Sequence, residues 1–73
     1  MSRRQLKRNL KVTLMALIKY QVKFSELASL YSQHCSTSTT PIEKCQEIIT
    51  SFFLLSQSME LASELLKKVL ELI

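Results

Sequence analysis

At 73 residues with a net charge of +4, the chain is at most one domain, and a domain this short buries a modest fraction of its surface and usually needs a staple or a partner for stability. An apolar fraction of 47% excludes global disorder, while the absence of glycine and the single proline, Pro41, exclude a glycine-rich phosphate loop and leave few tight turns. Two cysteines, Cys35 and Cys45, fall short of the disulfide framework of small secreted domains, so a reducing, cytoplasmic location is expected.

The first predicted element is a helix over 3–34. Ser2-Arg3-Arg4-Gln5 has the Ser-x-x-Gln arrangement of a capping box, although the basic first turn opposes the helix dipole. Along this helix Leu10, Leu14, Leu17, Gln21, Phe24, Ala28 and Tyr31 recur at alternating steps of four and three, the spacing of a coiled-coil seam, and Leu6 extends the line. Gln21 is its one polar member and is expected to fix register through a partner across the seam.

Residues 35–40, Cys-Ser-Thr-Ser-Thr-Thr, interrupt the periodicity and predict a loop. Thr40-Pro41-Ile42-Glu43 then supplies an N-cap threonine, a proline at the first helical position and a glutamate three residues on, opening a second helix over 41–72. Its expected seam is Cys45, Ile48, Phe52, Leu55, Met59, Ala62, Leu66, Val69 and Ile73. A short connection between helices of similar length forces an antiparallel return, with the seams facing along about 45 Å. The expected fold is therefore all-α: one domain over 1–73, a coiled-coil-like two-helix hairpin completed by a partner or by self-association.

The seams leave apolar side chains over. Leu54, Leu61, Leu65 and Leu72 form a second stripe on helix two, about 110° from the expected seam, with Ile49 and Phe53 on its other side. Met15, Ile18 and Val22 lie off the seam of helix one. Contiguous exposed patches of this kind mark interaction surfaces, so these seven residues are the expected partner-binding set. A homo-oligomeric helical bundle, in which the second stripes pack on their own copies, is the competing expectation.

Residues 1–40 hold seven Lys/Arg and one Glu, residues 41–73 three Lys and five Glu, so the positive charge sits on the first helix. A small basic nucleic-acid-binding regulator is a further alternative, but the basic residues at 3, 4, 7, 8 and 11 project around the helix and no aromatic platform accompanies them. A membrane-surface role for the same helix competes with the seam for its apolar face. Neither a signal peptide nor a transmembrane span is expected: the apolar stretch 12–18 contains Thr13 and runs into Lys19, and the longest unbroken apolar run is Leu14–Ile18. Catalysis is not expected either. His34 and Cys35 are adjacent in sequence, which does not place thiol against imidazole, and with Cys45 they lack zinc-site spacing. Glu60, Glu64 and Glu71 alternate with Lys67 and Lys68 as a solvated face does. No metal or cofactor is implied.

The succession of a long helix, a short polar loop and Pro41-Ile42-Glu43-Lys44-Cys45-Gln46 opening a second amphipathic helix resembles the small needle-protein co-chaperones of bacterial type III secretion systems (the YscE/PscE/EscE group). The resemblance covers the hairpin as a whole, with its residue-level match at the start of helix two, where Cys45 stands in place of an aromatic residue. It implies a cytoplasmic, non-enzymatic hairpin that binds a larger chaperone built of tetratricopeptide-like helical repeats, the two together keeping a needle subunit from polymerising before export.

Overall fold

The computed structural model describes residues 2–73 and consists of two α-helices, α1 (Arg3–Thr37) and α2 (Ile42–Leu72), packed along their length as an all-α hairpin. The chain is a rod whose Cα atoms span 54 × 16 × 14 Å. Three links along it show the antiparallel register. Cys35 and Cys45 join at the loop end, Ser56 Oγ donates to the Gln21 carbonyl oxygen (3.2 Å) at mid-length, and at the open end the Arg3 guanidinium donates to the Ile73 carbonyl oxygen, Nε at 3.0 Å and Nη2 alongside.

Each boundary has a local cause. The Ser2 hydroxyl accepts from the Gln5 amide (3.1 Å), satisfying one of the free N–H groups that every helix start exposes. At the other end α1 runs three residues past the expected boundary, through Cys35, Ser36 and Thr37. The Thr37 hydroxyl donates to His34 O (3.2 Å), one of the last four carbonyls, which have no partner within the helix, and the Ser36 hydroxyl donates to Gln33 O (2.7 Å). The expected Thr40 cap does not form. Pro41 is extended (ψ 138°) and is itself the N-cap, with its carbonyl accepting from the Cys45 amide (3.1 Å), so Thr40 lies one residue too early and its amide donates to the Ser38 hydroxyl (3.3 Å) instead. The connection is four residues, 38–41.

The two cysteines are paired in a disulfide, Cα–Cα 6.2 Å. This corrects the reading of them as unpaired thiols and removes the argument for a reducing compartment that rested on it. The bond staples the base of the hairpin across a ten-residue separation, and Cys45 is buried there.

The seam of α1 is the expected one. Leu10, Leu14, Leu17, Gln21, Phe24 and Tyr31 are half-buried and Ala28 fully buried, with Cys35 continuing the line; Leu6, expected to extend it, is exposed. The seam of α2 is rotated from expectation. Its buried line is Cys45, Ile49, Phe52, Ser56, Met59, Ser63, Leu66, Leu70 and Ile73, whereas Ile48 and Leu55 are 38% and 46% exposed. From Cys45 a seam can step first by three or by four, and the helix takes the four-step. That choice brings two serines inside in place of apolar side chains. Each has an outlet for its proton: Ser63 Oγ donates to Met59 O in its own helix (2.8 Å) and Ser56 Oγ crosses to Gln21 O. Small side chains also let the helix axes approach closely, where leucines hold them apart. Phe52 packs against Phe24 and Tyr31, ring centroids 6.2 and 6.4 Å away, the aromatic contact of the loop-proximal half. The cross-seam link at Gln21 is made by its backbone carbonyl.

Only Ala28, Cys45 and Ser63 are fully buried among the described residues. Two helices meet along a single line, so each covers one strip of the other and the rest of each circumference faces outward.

Candidate protein-interaction surface

With the seam positions labelled a and d of a heptad, the remaining side chains fall on defined flanks. In an antiparallel pair the g positions of the two helices share one flank and the e positions the other. The g positions of α1 are Leu6, Thr13, Tyr20 and Leu27; those of α2 are Ile48, Leu55, Ala62 and Val69. Each set repeats every seven residues over the same length, about 32 Å of helix. Leu6, Tyr20, Leu27, Ile48 and Leu55 are exposed there, with Ala62 and Val69 half-buried. The e flank is different: Lys11, Ile18, Ser25 and Ser32 on α1, and Gln46, Phe53, Glu60 and Lys67 on α2. A shallow cleft between Gln21, Val22, Ser25, Ser29 and Ser56 opens on that polar side.

The seven expected partner-binding residues are all exposed, and the structure divides them. Leu54 and Leu61 occupy f positions and Leu65 and Leu72 c positions of α2, about 160° from the true seam rather than 110°. They share its outer face with Glu47, Ser51, Ser58 and Lys68 at the other f and c positions, Leu61 at 69% and Leu72 at 85% exposure. Because c adjoins g, Leu65 and Leu72 border the apolar g flank. Met15 (71% exposed), Ile18 and Val22 lie at b and e positions of α1 on the opposite side of the hairpin, Val22 at the serine cleft, and do not join the leucines of α2. Sequence reasoning missed the g flank as a surface, having assigned Ile48, Leu55, Ala62 and Val69 to the core. The signal was present in the strict seven-residue repeat of both helices.

The rest of the surface is charged. Arg4, Lys7, Arg8 and Lys11 surround Val12 and Met15 near the start of α1, all of them exposed. The sulfur of Cys35 is bonded to Cys45, and the His34 ring lies against Tyr31 with centroids 5.9 Å apart, so the thiol that a Cys–His nucleophile requires is occupied in this state. Among the described residues no cluster of three metal-ligating side chains occurs, no helix is long and apolar enough to cross a membrane, and no buried side-chain polar atom lacks a hydrogen bond. The charged groups sit in solvent, and the polar groups inside are matched; what is unmatched is apolar.

The chain matches no protein-family model, no curated protein and no solved structure. Its class is set by its own geometry: an all-α helical hairpin, with exposed apolar residues concentrated on one flank and among the outer-face positions of α2.

Proposed function

We propose that the chain is a non-enzymatic protein-binding adaptor, a co-chaperone that works by laying the outer face of α2 on a partner. The observation that carries this reading is the exposed line Leu54, Leu61, Leu65 and Leu72, four leucines on one side of a helix with no cover from α1. Surfaces of this kind are stabilised by burial at about 25 cal/mol per Å², less the cost of association. A helical-repeat chaperone is a suitable partner, because the end of a stack of helix pairs presents an apolar edge that a long helix can cover. In the specific form suggested by the resemblance at Pro41–Gln46, the partner is a tetratricopeptide-like chaperone, and the pair holds a type III secretion needle subunit in the bacterial cytoplasm. The hairpin form, in which no helix among the described residues is long and apolar enough to cross a membrane, is compatible with that role.

Native mass spectrometry on a tagged copy purified from the source organism tests the proposal. Recovery of a stoichiometric complex with one helical-repeat protein, with or without a small helical client, is the expected result. Recovery of the chain with no other protein would overturn it.

A further inference from the structure

We infer that the g flank is an interface between two copies of this chain, packed antiparallel about a twofold axis perpendicular to the rod, as a four-helix bundle. This goes beyond the adaptor reading, which concerns the outer face of α2.

The first ground is area. The chain exposes 5839 Å², whereas a compact monomer of 8.4 kDa exposes about 4,600 Å². The excess, about 1,200 Å² over all faces of the rod, leaves room for the roughly 800 Å² that each partner buries in a standard protein interface. The second is pattern. Helices apolar at a, d and g bury more than one neighbour can cover, and here both helices carry the third stripe on the same flank.

Side-chain size and charge choose the occupant and its direction. The hairpin register sets the g residues in four layers along the groove. Tyr20 is level with Leu55 in a bulky layer, and Thr13 with Ala62 in a small one. The outermost layers are Leu6 with Val69 and Leu27 with Ile48. A second copy turned end for end brings the bulky Tyr20/Leu55 layer of one chain against the small Thr13/Ala62 layer of the other, twice, and the two end layers against each other. A parallel pair would stack bulky on bulky and small on small. Charge points the same way. The open half, residues 2–19 and 58–73, holds eight Lys/Arg and three Glu, net +5; the loop half, residues 20–57, holds two Lys and three Glu, net −1. End-for-end packing sets each positive half over a weakly negative one, whereas a parallel pair sets +5 on +5, a repulsion that the apolar contact would have to overcome.

Sedimentation equilibrium on the full, disulfide-bonded chain at concentrations up to about 1 mM tests this. A reversible dimer is expected; a monomer throughout, or a species larger than a dimer, would overturn the inference. Leu27→Glu/Leu55→Glu is expected to weaken the dimer by about a hundredfold or more with helicity retained. Should the glutamates unfold the hairpin, Leu27→Gln/Leu55→Gln makes the same test, and a dimer that survives it unchanged rules the groove out. Direction is read from Ala62→Leu. The end-for-end arrangement drives the new side chain into Tyr20 and Leu55 of the other copy and weakens the dimer; a dimer as tight or tighter contradicts that arrangement. Leu61→Glu, on the outer face, is expected to leave the dimer intact. Loss of the heterologous partner and loss of the dimer are therefore separable failures.

Discussion

A serine hydroxyl costs little to bury in a helix when its proton reaches a carbonyl one turn back, and Ser63, 3% exposed and bonded to Met59 O, is placed that way. Its size is what the seam uses. Ser63→Leu is expected to destabilise the hairpin by about 1–3 kcal/mol through overpacking, while Ala62→Leu, one residue away on the flank, should stay within about 0.5 kcal/mol; urea unfolding in dilute solution compares them. The reverse order would restore the seam that apolar counting favours. The helix caps make a second residue-scale test. Ser2→Ala removes a cap hydrogen bond and is expected to lower stability by about 0.5–1 kcal/mol, whereas Thr40→Ala, at a position that caps nothing, should have no measurable effect on the unfolding midpoint. Gln21 and Ser56 show why residue-level reading was partial. The polar interruption at Gln21 was visible, but its link runs through a backbone carbonyl, which no side-chain identity reveals.

At the scale of elements, both helices and the hairpin were legible, because coiled-coil spacing over more than four turns has few other interpretations. The seam of α1 was legible too, since its line is almost wholly apolar. That of α2 was not. Its wrong line, through Ile48, Leu55, Ala62 and Val69, is richer in apolar residues than its right one, which includes Ser56 and Ser63. Burial and hydrophobicity part company there because the surplus apolar line is a surface. The disulfide was likewise missed, as pairing depends on how far α1 continues. Once α1 reaches Thr37, Cys35 falls on the seam opposite Cys45. Closing that short loop reduces the freedom of the unfolded chain, and reduction by dithiothreitol, or Cys35→Ser with Cys45→Ser, is expected to cost roughly 2–3 kcal/mol. The melting temperature read by circular dichroism should fall by roughly 10–20 °C. An unchanged melting temperature would mean that the thiols are unpaired in solution.

The molecule is a rod with one seam, mostly half-buried, and several uncovered lines. Of the seven partner-binding candidates, the four leucines of α2 lie on its outer side, and Met15, Ile18 and Val22 lie apart from them across the hairpin. Their exposure was readable from the seam; their separation was not, because it depends on which flank of each helix meets which, and that follows from the register. The proposed adaptor role requires a scaffold that survives without the partner and a contact surface dispensable for folding. Phe24, Phe52 and Tyr31, the disulfide and the Arg3–Ile73 contact supply the scaffold, all on the seam or at its ends.

The measurement that tests this division most directly compares wild type with Leu61→Glu/Leu65→Glu, following helicity by circular dichroism and partner recovery by co-purification from the source organism. The account predicts undiminished helicity and loss of the partner. Loss of helicity in the variant would place these leucines in the hairpin's own core and contradict it.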